Sequence, residues 1–553
     1  MTQTQEKKSF LAMYDVRGIQ NYIFKTNKMQ EIIGASRLVE NIIIEGLDQI
    51  IAQNGWGREH FLTQWEKDEP DAFLSNENIL MQVLFIGGGN AYVLFRGQEI
   101  LRKVNRALAK YVLEETWSLN LAVAVVEKSR DYQKDYEAIN LKMREIKAGM
   151  PETRPVGAMP FMAVDPVTGY PLTTRVWRDK DTAEYICTEA ALKRARFSRG
   201  SDNAGGERIL DNMVTEKGES SLLAAVHIDG NNMGARIRAI MEDRHDYADA
   251  VIAMRTISGM IRRGFRETFD GMGQMIDEVS DRIKPDREGK LYREILVAGD
   301  DITFVCNARA AIPAVEWFLE KIAYRTMYVQ ESLTPQENRR LYGFSACAGI
   351  AFFNSHFPFT DAYQVAEECC GSAKARAKLT QNRSGGQAGA ATGSYLDYQI
   401  CPHIRAADLK ACRTRQYLMP DGSGSMVRRP YYVPSRALEG ISDLNERNRE
   451  NDIQALWSCL SFFQSGGERG PLRKEGESPS SKGRETGMTR SRAKRLRNAY
   501  ALGMEEVEKY CAFLASRDVI FPEDMPDRRF WYDALEIMDF CPGKEENRDE
   551  AQD

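Results

Sequence analysis

The sequence predicts an α+β fold of two βαββαβ units followed by a helical C-terminal region. Three observations carry this reading. Short apolar runs bounded by turn residues mark strands, and segments with 3.6-residue periodicity mark helices between them. The order strand, helix, hairpin, helix, strand occurs twice. The two occurrences also match in spacing: with Gly18 laid on Gly230, Gly88 falls within one residue of Gly299. Internal duplication is the economical explanation.

The elements follow in chain order. FLAMYDVRGI (10–19) reads as a strand, and a long helical segment runs from about Gln20 to Gln53. ILMQVLFIGGGNAYVLF (79–95) is a hairpin with a Gly-rich turn, QEILRKVNRALAKYVLEETW an amphipathic helix, and LNLAVAVVEKS (119–129) a strand. These form a first unit over 1–150. Residues 151–220 read as a loop-rich connector. The second unit, 221–400, opens with SLLAAVHIDGNNMG, strand into helix, and helices fill 235–270. REILVAGDDITFVC (293–306) is its hairpin, GFSACAGIAFF (343–353) its next strand, and DAYQVAEECCGSAKARAKL a further helix before the short strand SYLDYQI. Each unit is expected to build an antiparallel sheet with helices on one face, the ferredoxin-like or palm plan. A second connector spans 401–440. From 441 to 553 the chain reads helical, interrupted at 465–487 by a Gly/Ser-rich polar loop of disordered composition.

Composition narrows the class. The 553 residues are 43% hydrophobic and 28% charged, as in ordinary globular proteins. A formal net charge of −5, from 75 basic and 80 acidic residues, gives no general drive toward nucleic acid, so such contact needs a local patch. No signal-peptide core opens the chain and no apolar run suits a bilayer. Ten cysteines without paired metal spacing fit a reduced compartment, and the expected location is cytoplasmic.

The candidate chemistry lies at the hairpin ILVAGDDITF (295–304). Adjacent carboxylates at a hairpin tip repel each other, so either the turn is merely solvated or a doubly positive partner sits there. Asp229 ends the strand that pairs beside the tip, bringing a third acid near Asp300 and Asp301. Clustered carboxylate oxygens suit hard divalent ions, magnesium or manganese. A pair of such ions would serve phosphoryl or nucleotidyl transfer. Gly299 lets backbone approach phosphate, and Gly230, Asn231 and Asn232 offer amides at the turn into a helix. Lys374 and Lys378, one turn apart, are candidates for the outgoing pyrophosphate; the ordinary reading of both is a solvated helix face. In the first unit the spacing match sets Arg17 against Asp229, Gly89 against Asp300 and Asn90 against Asp301. Arginine repels cations, so the first unit is expected to bind or support and not to catalyse. The Gly34-Ala35-Ser36 turn is either a nucleotide contact or a helix end. His227 reads as a core histidine. The basic run TRSRAKRLRNAY (489–500) reads as a solvated helix with Leu496 and Tyr500 inward, or as an RNA contact.

HIDGNNMG, AGDD, the SACAGIAF strand and the AEECCGSAKARAKL helix, in this order, resemble the large polymerase/cyclase-like subunit of type III CRISPR effector complexes. DVRGIQNYIF and IGASRLVENI are similar to that family's first palm, so the likeness spans roughly residues 10–400 and, more loosely, the tail. It implies ATP binding between two palms and metal-dependent joining of ATP into cyclic oligoadenylates in antiviral defence. Asp229, Asp300 and Asp301 would be the metal carboxylates. There are departures. The hairpin reads AGDD where the family has GGDD. The palm begins within ten residues of the start, without an HD nuclease domain. The His245–Asp246 pair, expected in a charged loop or helix, has no upstream histidine ligands. The connector holds Cys187 alone, so no zinc is expected. Two other functions compete: an assembly subunit that holds guide or target RNA or other effector subunits, and a GGDEF-like dinucleotide cyclase. Asp301–Ile302, standing where that class has Glu-Phe, speaks against the last.

Overall fold

A computed structural model describes residues 8–542 apart from 88–89, 151–157, 178–181, 199–208, 215–220, 284–288, 384–392, 402–408, 423, 439–450, 466–487, 518 and 524. The polar loop expected at 465–487 and the turn residues Gly88 and Gly89 thus lie almost wholly outside the described residues. The first sheet uses β1 (Ser9–Arg17), β2 (Phe61–Leu62), β3 (Met81–Gly87), β4 (Asn90–Arg96) and β5 (Asn120–Glu127), ordered β2-β3-β4-β1-β5. A separate ribbon pairs β6 (Leu172–Trp177) with β7 (Ala183–Cys187). The second sheet uses β8 (Leu222–Gly230), β9 (Tyr292–Ala298), β10 (Asp301–Asn307), β11 (Ala346–Asn354), β12 (Ser394–Ile400) and β13 (Tyr431–Val433), ordered β13-β12-β11-β8-β10-β9. The strand arrangement β3-β4-β1-β5 in one sheet reappears as β9-β10-β8-β11 in the other, so the fold is α+β with the palm plan used twice.

Two local expectations change. The segment from Gln20 to Gln53 is three helices, Ile19–Ile23, Met29–Glu40 and Ile42–Gln53, with Asn41 leaving helical geometry between the last two. The second sheet carries helices on both faces, not one. Leu223 and Ala225 of β8 join a core with the helix Phe359–Arg383 and the first sheet. Ala224, Val226 and Ile228 point the other way, into a core with the helix Ala308–Ile322 and the C-terminal helices. A strand buried on both faces reads as a continuous apolar run, and LLAAVHI is one.

The units are knitted together. The 37-residue helix Tyr247–Ile283, roughly 55 Å long, contributes Ala250, Met254 and Ile257 to one core and Phe265, Met272 and Ile276 to the other. Arg255 from this helix donates to the Leu84 carbonyl at 2.6 Å. The expected connector 401–440 contains a helix, Leu409–Tyr417, and β13, which extends the second sheet beside β12. Arg429, just before β13, is fully buried and pairs with Asp533 at 3.0 Å and Glu536 at 2.7 Å on the C-terminal helix Trp531–Ile537. Tyr431 donates its hydroxyl to the same Asp533 at 2.6 Å. Cutting one partner of such a buried pair leaves an uncompensated charge, at a cost of about 3–5 kcal/mol, so the tail is fastened to the sheet.

In the 151–220 stretch, β6 alternates inward and outward at each residue, which loop-rich composition had hidden. The helix Thr188–Ser198 behind it packs on Met29–Glu40. Gly34 permits that approach, because a Cβ there would stand 1.8 Å from the Lys193 carbonyl oxygen. All ten cysteines are unpaired and nine are buried. Among the described residues no helix is long and apolar enough to cross a membrane.

Candidate active site

The acids meet because of strand register. β8 pairs antiparallel with β10 so that Asp229 lies opposite Asp301. The turn of β9–β10 is two residues, Gly299 and Asp300. Gly299 adopts φ +69°, a left-handed geometry open to glycine. The Gly230 amide donates to the Asp300 carbonyl at 3.2 Å, fastening the tip to the end of β8. Gly230 must lack a side chain: a Cβ would approach Asp300 Oδ2 to 2.8 Å. A cavity of ≈ 380 Å³ opens here, lined by Asp229, Gly230, Asn231, Asn232, Asp300 and Lys374, with Lys378 at its exposed rim and the first turn of the helix Met233–Met241 closing one side. The positive end of that helix faces the cavity.

Charge is concentrated and partly desolvated. Burial pushes the Asp300 carboxyl up to about 6, with the Asp229 charge adding to the shift. Asp301 rises to about 6 for the same two reasons. Its Oδ2 accepts from Gln20 Nε2 of the first unit at 3.3 Å. Its Oδ1 is buried without a hydrogen-bond donor; His227 Nδ1 stands 3.6 Å away. His227 itself is buried, shares a 3.3 Å contact with Thr303 and packs edge-on against Tyr363, with burial lowering its affinity for a proton. It is a core histidine, as its neighbours suggested.

Several expected roles move. Lys374, a candidate for pyrophosphate whose ordinary reading is a solvated helix face, is ion-paired with Asp229. It reaches Asp229 because Phe359–Arg383 lies against β11 so closely that a Cβ on Gly349 would meet the Ala366 carbonyl at 1.9 Å. The Gly230 amide is occupied by Asp300, and the Asn231 amide by the Ser345 carbonyl at 2.9 Å. The Asn231 side chain donates to Gly393 O and Ser345 Oγ, at 3.2 and 3.4 Å, so this residue pins the turn. Asn232 adopts φ 54° at the N-terminal boundary of the helix Met233–Met241, on the cavity wall. Gly34, Ala35 and Ser36 form no turn; they lie inside a helix whose side chains face protein, and Ser36 is buried and does not line the cavity. His245 and Asp246 fall between helices, where His245 Nδ1 contacts Asp131 at 3.1 Å.

The register also revises the match between units. Asn90 occupies the position of Asp301, but its partner on β1 is Asp15, not Arg17. Asp15 is therefore the counterpart of Asp229, and it too is ion-paired with a lysine, Lys147, from the helix Tyr132–Gly149 that follows β5. Arg17 donates instead to the Met150 carbonyl. Sequence spacing missed both ion pairs, since each joins residues more than 130 positions apart.

The donors suit a hard divalent cation in kind: three carboxylates at one strand end, with a buried oxygen of Asp301 unpartnered. Yet among the described residues no three His, Cys, Asp or Glu side chains are grouped closely enough to hold an ion, and Lys374 already shields Asp229. A cation would bind here by displacing the lysine ammonium.

No family model matches the chain and no curated protein matches it. Solved structures to which it is similar include Csm1-Csm4 assemblies. The Csm1-Csm4 cassette in complex with cA4 is 12% identical, with 97% of this chain and 70% of that chain covered and a TM-score of 0.47. The cassette in complex with one ATP gives the same figures. The Csm1-Csm4 subcomplex in the type III-A CRISPR-Csm interference complex is 11% identical, with the same coverage and a TM-score of 0.46.

Proposed function

We propose that the second unit is a metal-dependent nucleotidyltransferase that joins ATP into cyclic oligoadenylate-type messengers, in a type III CRISPR setting. One observation carries this reading: the register that sets Asp229 against Asp301, with Asp300 at the adjoining tip and with Asp229 and Asp300 on the wall of a cavity sized for a nucleotide. The three carboxylates would hold magnesium or manganese ions, which when bound offset charge on the reacting phosphate and make the attacking hydroxyl more acidic. The rest falls to side chains. Asp300 and Asp301 carry the negative charge that draws the ions. Lys374, released from Asp229, turns its ammonium to the triphosphate, with Lys378 one helical turn further out at the rim. The first turn of Met233–Met241 presents its positive end to the same group. Gln20 holds Asp301 from the first unit, which gives that unit a supporting part in the site.

The reaction is attack of a 3′-hydroxyl on an α-phosphate with loss of pyrophosphate. Incubation with magnesium or manganese and each nucleoside triphosphate, followed by mass spectrometry, tests it. Cyclic adenylates absent from Asp300→Ala support the proposal; guanine dinucleotides would point to the GGDEF-like alternative. Identical blanks from both proteins would overturn it.

The second reading, a silent assembly subunit that holds RNA or protein, is favoured by the Lys374–Asp229 pair, which satisfies one acid without any ion. A ribonucleoprotein that purifies intact from both wild type and Asp229→Asn, with no nucleotide product, would establish it.

A further inference from the structure

We propose that Lys374 is a lock on the carboxylate cleft, one that a divalent cation opens poorly alone and opens well together with a triphosphate. The inference rests on the reading of Asp229, Asp300 and Asp301 as cation ligands, and it adds how their occupation is governed.

The lock is built on fixed backbone. Lys374 belongs to the helix Phe359–Arg383, which approaches β11 at Gly349 too closely for a Cβ. One turn before the lysine, Cys370 Sγ donates to the Cys347 carbonyl at 3.3 Å, and Cys347 lies opposite Asp229 in the β8–β11 ladder. The helix is therefore held at the level of the acid. From there the lysine stem reaches Asp229, and its ammonium is ion-paired with that carboxylate. The two side chains are 27% and 35% exposed. A pair so placed is screened less than one in open solvent.

On its own helix the ammonium has no other acid within a turn: the neighbours at three and four residues are Cys370, Gly371, Ala377 and Lys378. Of the other acids in the cleft, Asp300 lines the cavity and Asp301 accepts from Gln20. A cation seated on the three carboxylates takes the oxygens that Lys374 needs. Displacing the lysine strands its charge beside Lys378 and a bound dication, and like charges at that range repel. A triphosphate reverses the balance. Asp229, Lys374 and Lys378 line one cavity with Asn232 and the first turn of Met233–Met241. The ammonium that leaves Asp229 thus meets phosphate oxygens by rotation of its stem. Without a cation, the triphosphate faces three carboxylates whose nearest ammonium is committed to Asp229. Each ligand supplies what the other lacks, and the coupling is reciprocal.

Manganese titrated into the full chain and followed by electron paramagnetic resonance reads binding without turnover. Wild type should bind the metal alone weakly, and Lys374→Met about 10-fold or more tightly than wild type. Lys374→Gln should shift the same way and keeps the test open should the methionine variant misfold. Lys147→Met frees an acid that faces Asn90, and it should gain no manganese affinity. Melting midpoints give the second arm, with magnesium and α,β-methylene ATP, an analogue that cannot be joined. In wild type the two ligands together should raise the midpoint by more than the sum of their separate shifts. In Lys374→Met magnesium alone should supply most of the rise. Equal manganese affinity in wild type and both Lys374 variants, lost in Asp300→Asn, would overturn the lock and keep the cation reading. Additive shifts in wild type would do the same. Manganese bound by none of the proteins, with or without the analogue, or bound equally by Asp300→Asn, would overturn the cation reading and the lock with it.

Discussion

The ends of β1 and β8 carry the same device with different charge. In each, an aspartate on the central strand pairs with a lysine from the helix that follows the last palm strand: Asp15 with Lys147, Asp229 with Lys374. In the first unit the residue opposite is Asn90, so one carboxylate meets one ammonium and the sum is zero. In the second, Asp301 stands opposite and Asp300 adjoins, so three carboxylates meet one ammonium and the sum is −2 when all are ionised. The Asp15 side chain is 10% exposed, while the Asp229 side chain is 35% exposed at a cavity wall. The comparison teaches that both units use the same scaffold and lysine, and that what the second unit adds is two acids and an opening.

The largest effect expected is on turnover. Asp300→Ala should lower nucleotide product by about 10³-fold or more, a loss typical of removing one preorganised electrostatic group; any substitution at Asn90 should leave product formation within a few-fold. Next come the lysines. Lys147→Met leaves Asp15 buried without a partner and should cost about 2 kcal/mol. Lys374→Met leaves a more exposed acid and should cost about 1 kcal/mol in chelator. Magnesium should restore the melting midpoint of the second variant and not of the first; equal restoration would erase the distinction drawn between the sites.

Protonation sharpens the same contrast. The carboxyls of Asp300 and Asp301 lie near 6 in the folded chain, above their unfolded values near 4. The folded state therefore binds protons more tightly between about pH 4 and 6, and these acids make stability fall as pH rises through that window. In chelator, Asp300→Asn should melt higher than wild type at pH 7 by about 1 kcal/mol and converge with it near pH 4. The mirror change, Asn90→Asp, adds an acid opposite buried Asp15, where the Asn90 carbonyl oxygen already lacks a donor. It should lower the melting midpoint at pH 7 by a similar or smaller amount and recover on acidification. A difference between Asp300→Asn and wild type that stays constant with pH would mean that burial does not raise the Asp300 carboxyl.

The doubled plan, the hairpin tip and the closing of Asp229 on Asp301 were legible, because apolar periodicity and a Gly-Asp turn are local signals. Register was not. Anchoring the two units on Gly18 and Gly230 shifted β1 by two residues, and a shift of two returns every side chain to the same face. The hydrophobic pattern is satisfied either way, so only the strand ladder separates Arg17 from Asp15 as the counterpart of Asp229. The lysine pairs were invisible for a different reason: each depends on how a helix lies across a strand. The fastening of Arg429 to Asp533 belongs to the same class, joining residues 104 apart through a buried core. Ser36 misled because Gly-Ala-Ser carries turn residues, while the surrounding helix answers to a neighbour that needs Gly34 small.

The contact of Gly349 with the Ala366 carbonyl restricts how the cleft can work. At that point Phe359–Arg383 rests on bare backbone, with no side chain to compress or to swing aside, and its neighbouring turns are held in the core shared with β8 and β11. The helix is a fixed rail. On the proposed function, Lys374 would change partner by rotating its own stem, and widening to admit a ligand would fall to the Gly299–Asp300 tip or the helix that begins at Met233.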